Sequence, residues 1–95
     1  MEVRKAAAFD TWLRKLRDER AKGRILVRIA LLASGNPGDA EPVGDGVSEL
    51  RIDYGPGYRL YFVYRGGGIV VLLTGGDKST QERDIAKAKD LAKNL

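Results

Sequence analysis

The sequence predicts an α+β fold of two N-terminal helices, an antiparallel β-meander and a C-terminal helix, in a single domain over residues 1–95. Three observations carry that reading. Apolar residues recur at spacings of three and four through the first third of the chain, the period changes to two from Val47 onward, and helical spacing returns after Ser79. Helices gathered on one side of the sheet are the expected arrangement.

The opening "MEVRKAAA" suits a short edge strand. From Ala7, the residues Phe9, Leu13 and Leu16, with Trp12 beside them, share a helical face in "AAFDTWLRKLR". A second helix follows, with Asp18 as its N-cap, Ile25, Ile29 and Leu32 on one face, and Gly35-Asn36-Pro37 as its stop. Arg20, Arg24 and Arg28 recur every four residues on a neighbouring stripe, a pattern that fits either a solvated helix or contact with RNA. "GNPGDAEPVGDG" has no apolar periodicity and reads as a loop.

In "VSELRIDY" the apolar members are Val47, Leu50, Ile52 and Tyr54, and from Glu49 onward Glu49, Arg51 and Asp53 alternate against them. "YRLYFVY" sets Tyr58, Leu60, Phe62 and Tyr64 on one face and Arg59, Tyr61 and Val63 on the other. Gly55-Pro56-Gly57 joins the two runs, because proline fixes φ and glycine accepts positive φ. "IVVLLT" is near-continuously apolar, as a central strand covered on both faces should be. After it, Ser79 and Glu82 match a capping box, and Ile85, Ala88, Ala92 and Leu95 line the last helix.

Composition excludes several kinds of chemistry. The chain has no cysteine and no histidine, which removes disulfides, thiolate catalysis, Cys/His zinc sites and any imidazole acid or base. Its 17 Lys and Arg against 13 Asp and Glu give a net charge of +4, which favours an anionic partner. No apolar run is long enough for a membrane span and no secretory leader is evident, so the expected location is the cytoplasm. "LLTGGDKST" fails as a phosphate-binding loop, since Asp77 stands where glycine must precede the lysine and Leu72 replaces the first glycine. Gly75-Gly76 then reads as a turn before a helix whose N-terminus, with Lys78, attracts phosphate or is simply solvated.

Alternation puts Arg51 and Arg59 on one sheet face, with Glu49, Tyr61 and Asp53, away from the helical core. Such a face either binds phosphates through guanidinium forks and stacks a base on a phenol ring, or forms a lattice of cross-strand ion pairs.

The segments "FDTWLRKLRD", "RI…RIALLASGNPGD", "VGDGVSELRIDYGPGYRLYF" and "VVLLTGGDKSTQERDIAKA" resemble the RelE/ParE toxin superfamily, in particular its HigB-like group of addiction-module killer proteins. The resemblance covers nearly the whole chain and implies a RelE-like fold. It implies a type II toxin that cuts mRNA on the ribosome without metal or other cofactor. A helix-turn-helix antitoxin would neutralise it in a hetero-oligomer that masks Arg51 and Arg59. ParE-like members inhibit DNA gyrase instead, and a toxin reduced to antitoxin binding is a further alternative. The matching catalytic positions are Arg59, Arg51 and Lys78, with Arg51, Arg59, Tyr58 and Lys78 on the RNA. Glu49 or Lys78 is the candidate base, and Tyr61 or Lys78 the candidate acid. The tyrosine that RelE-like enzymes often carry near the C-terminus is missing here.

Overall fold

The computed structural model describes residues 1–95. Strand β1 (Glu2–Lys5) leads into helices α1 (Ala7–Lys15) and α2 (Glu19–Ala33). Strands β2 (Ala40–Gly44), β3 (Val47–Ile52), β4 (Tyr58–Arg65) and β5 (Ile69–Asp77) follow, then a 3₁₀ turn (Lys78–Thr80) and helix α3 (Gln81–Lys93). They form one sheet in the order β1-β5-β4-β3-β2. Only the β1–β5 pair is parallel. No helix is long and apolar enough to cross a membrane.

Local chemistry explains most boundaries. The Asp18 carboxylate accepts from the backbone N–H of Arg20 and Ala21 at 3.0 and 3.1 Å, capping α2. At the other end of the chain the expected capping box does not form. Asp77 accepts from the Ser79 N–H at 2.8 Å instead, and a 3₁₀ turn precedes α3.

The stretch expected to be wholly loop contains β2. Its apolar period is absent because it is an edge strand carrying Pro42, and backbone pairing with β3 makes it a strand. The turn between them has Asp45 and Gly46 at φ +56° and +78°. Two successive positive φ angles match a tight hairpin turn with the hand of the sheet twist, for which Asp-Gly is a favoured pair.

The expectation of helices on one side of the sheet is also corrected. Phe9 of α1 and Ala21, Ile25, Ile29 and Leu32 of α2 pack on Leu50, Ile52, Leu60, Phe62, Val70 and Leu72. A second core on the opposite face joins Val47, Tyr61, Val63, Val71 and Leu73 to Ala88, flanked by Ile85, Leu91 and Ala92 of α3. Tyr61, Val63, Val71 and Leu73 are too apolar a set to leave in water, and α3 covers them.

Gly75 and Gly76 lie within β5 rather than in a turn. Consecutive residues of a strand face opposite ways, so the pair serves both layers. A Cβ on Gly75 would overlap the Trp12 indole of α1, and one on Gly76 would overlap the Asp84 carboxylate of α3. Bare backbone here lets both helical layers approach the sheet closely.

A candidate nucleic-acid site at the hairpin base

Helix α3 covers only part of its sheet face. Beyond its first turn, at the hairpin end, Arg51 and Arg59 lie directly opposite each other on β3 and β4. Arg59 in turn pairs with Gly76 on β5, which brings the start of the 3₁₀ turn and Lys78 alongside. A cleft of about 290 Å³ results, lined by Asp39, Arg51, Ile52, Asp53, Gly57, Arg59 and Lys78. Gly57 has φ +78°, and a side chain there would press on the Arg59 guanidinium. The Gly-Pro-Gly turn therefore joins two strands and also leaves room for the Arg59 guanidinium.

The three predicted cations have different surroundings. Arg51 is tied down by acids: its Nη2 donates to Asp39 at 2.8 Å and lies 3.2 Å from Glu41. These bonds raise the Arg51 pKa above the ordinary guanidinium value, and the Arg51 hydrogen bond holds the Asp39 carboxyl below its usual range. Asp39 and Glu41 were not among the predicted site residues. Both lie in the stretch read as loop, so no register set them opposite Arg51.

Arg59 is held from behind. Its Nη1 donates to the Gly57 carbonyl at 2.6 Å, and its Nε lies 3.8 Å from Glu49 Oε1, buried and without a hydrogen-bond partner. Its side chain is only 12% exposed. Glu49 is fixed by Gln81 of α3, whose Nε2 donates to Oε2 at 2.8 Å. Gln81 is a positioning residue that sequence reasoning missed, because the contact joins residues on opposite layers. Lys78 is exposed and makes no ion pair.

The other predicted residues are not at the surface. Glu49 is buried beneath α3 with its carboxylate between Gln81 and Arg59. Tyr61, expected on an open face, is fully enclosed. Glu49 lies beside it, yet its hydroxyl makes no hydrogen bond of acceptable geometry. Burial above all, then the negative fields of Glu49 and Asp84, push the Tyr61 phenol well above its ordinary range. Tyr58 belongs to the first core and sets its ring edge-on to Trp12 at 6.3 Å. Burial raises its pKa too. Neither phenol ring is open to stack on a base in this conformation. No group of three or more acidic side chains is placed to hold a metal ion.

Residues 11–95 match the family model described as Phage derived protein Gp49-like (DUF891). The chain belongs to this Gp49-like family. An uncharacterized protein of Haemophilus influenzae is 50% identical to it over 95 residues, spanning 100% of this chain and 96% of that protein. The match of this Gp49-like chain to the family model includes all of α2, the hairpin, the double glycine and α3, so every residue of the cleft lies inside it.

Proposed function

We propose that this Gp49-like protein is the toxin of a type II toxin-antitoxin pair, of the RelE/HigB kind, and that it cleaves mRNA on the ribosome without a metal. One observation supports the reading above the others: Arg59 and Lys78 converge on a small cleft in which neither cation is fully neutralised. An RNA phosphate placed there would meet two positive charges, one of them rigidly held. Family membership agrees with the toxin theme, and the net charge of +4 suits an anionic substrate.

The reaction is attack of a ribose 2′-oxygen on its own 3′ phosphorus. A new P–O2′ bond forms and the P–O5′ bond breaks, giving a cyclic phosphate and a 5′-hydroxyl. The proton leaves the 2′-hydroxyl for a base, and another reaches the departing 5′-oxygen. Negative charge grows on the phosphoryl oxygens in the transition state, where the Arg59 guanidinium donates to them. Lys78 is the exposed cation at the cleft and would hand a proton to the departing 5′-oxygen, while the exposed Asp53 carboxylate lines the same cleft. Glu49 acts through Arg59: from the protein side it orients the guanidinium across a long 3.8 Å contact that offsets only part of its charge. Arg51, engaged by Asp39 and Glu41, shapes the cleft wall and contributes less charge.

The test is brief induction of wild-type and Arg59→Ala chains in cells without the antitoxin, with mapping of RNA 5′ ends. New ends inside translated codons in wild type alone would uphold the reading. Growth arrest with no new ends would point to a protein target such as gyrase. Harmless expression would indicate a chain that retains partner binding only.

A further inference from the structure

Helix α2 is apolar on two sides. Its inward side, Ala21, Ile25, Ile29 and Leu32, lies in the first core. Its outward side carries Leu26, Val27 and Leu31, which are 51%, 60% and 39% exposed. Gly23, Ala30 and Ser34 are exposed in register with them. Positions 23, 26, 27, 30, 31 and 34 trace a single helix face, and that face is turned to solvent.

Gly23 adds an independent observation. A Cβ there would meet nothing within 4 Å, and its φ is not in the left-handed region. Mid-helix glycine costs about 1 kcal/mol relative to alanine, and neither packing nor backbone conformation within the chain requires it. Its bare backbone leaves room for close approach from outside.

Charge identifies what approaches. Beside the apolar face runs a groove of about 800 Å³ lined by Arg20, Gly23, Arg24, Val27, Arg28, Ile52 and Asp53. Arg28 is committed, donating to the carbonyls of Arg51 and Pro37. Arg20 and Arg24 are in no ion pair, and Arg24 is held over the Tyr54 ring at 4.4 Å from its centroid. From these features we infer that the outer face of α2 is the docking site for an amphipathic helix of the antitoxin, apolar along its contact side and acidic along the edge facing Arg20 and Arg24.

The seam spans about three helical turns, the length of an ordinary docking helix. Small residues at 23 and 30 allow close interaxial approach. A second copy of this chain would bring the same three arginines against a single groove carboxylate, Asp53, a poor charge match. RNA would leave Leu26, Val27 and Leu31 without apolar partners. The groove shares Ile52 and Asp53 with the smaller cleft. A helix seated on α2 therefore lies next to the cleft that holds Arg59 and Lys78.

The inference rests on the toxin-antitoxin reading for the partner's identity and on the structure for the surface. The experiment titrates the purified product of the adjoining gene into the full chain, as wild type, Val27→Glu/Leu31→Glu and Arg24→Glu, by calorimetry. Each variant's fold is checked by circular dichroism and its RNA cleavage is measured in parallel. The expected result is binding weakened about 30-fold or more in the double variant. Arg24→Glu should lose about 10-fold, with cleavage retained in both variants and rescue by the co-expressed partner lost. Unchanged affinity in folded variants would overturn the surface. A dimer of the chain alone, dissociated by Val27→Glu, would assign the face to a second copy and overturn the occupant, as would RNA affinity lost with Val27→Glu. No binding by wild type, with cleavage intact, would remove the antitoxin partner and this proposal with it, and leave the nuclease reading standing.

Discussion

Replacing Glu49 by alanine tests whether the Arg59 guanidinium is held by a buried counter-charge. Glu49 is 2% exposed and the Arg59 side chain 12%, so solvent screens the pair little. Breaking a buried ion pair from one side costs about 3–5 kcal/mol, because the surviving charge is left uncompensated. Here the Nε–Oε1 separation is a long 3.8 Å, and Arg59 keeps its bond to the Gly57 carbonyl and its opening to the cleft. Those features lower the expected loss to about 2 kcal/mol, to which the stranded Gln81 amide adds about 1 kcal/mol. At roughly 4–8 °C per kcal/mol for a domain of this size, Tm should fall by about 12–24 °C. The assay is a double-mutant cycle by urea denaturation with Glu49→Ala, Arg59→Ala and the pair. A coupling energy of about 1 kcal/mol or more is expected, since Arg59→Ala removes the charge that Glu49→Ala strands. Additivity within about 0.5 kcal/mol would refute the argument and return Glu49 to a purely packing role.

Among the remaining predictions, Arg59→Ala should reduce cleavage by about 100-fold or more, as loss of a transition-state donor does, and Arg51→Ala by much less; equal losses in single-turnover assays would contradict the division of labour. Tyr61→Phe should stabilise the protein by about 1 kcal/mol in denaturant melts, because it removes a buried hydroxyl that has no partner. The raised pKa values of Tyr58 and Tyr61 favour their neutral forms in the folded state, so their titration leaves stability unchanged below pH about 10 and lowers it as pH rises beyond that value. Tyr61→Phe should therefore also flatten the alkaline fall in stability, and an unchanged slope in the pH series would count against the assignment. Gly75→Ala should destabilise by about 1–3 kcal/mol through the Trp12 indole, and Trp12→Leu in the same chain should recover part of the loss; a neutral Gly75→Ala would show that the indole has room to move.

Residue periodicity was enough to place α1, α2, β3, β4, β5 and α3, because each buries a face whose spacing repeats within its own segment. The cap at Asp18, the Gly-Pro-Gly hairpin and the pairing of Arg51 with Arg59 on one face were legible for the same reason: they are local or follow from register. Strand β2 was not, since an edge strand with Pro42 and few apolar residues owes its conformation to β3. Its Asp45-Gly46 turn was a readable signal that the flanking composition obscured. Tertiary structure alone decided that α3 covers the second face, and that single packing choice buried Tyr61 and Glu49 and set Gln81 behind Arg59. It also decided which acids each arginine meets. Alternation tells which face a side chain takes, but Asp39 and Glu41 reach Arg51 only once the chain has crossed from α2 to the sheet edge, while the β4–β5 register brings Lys78 beside Arg59.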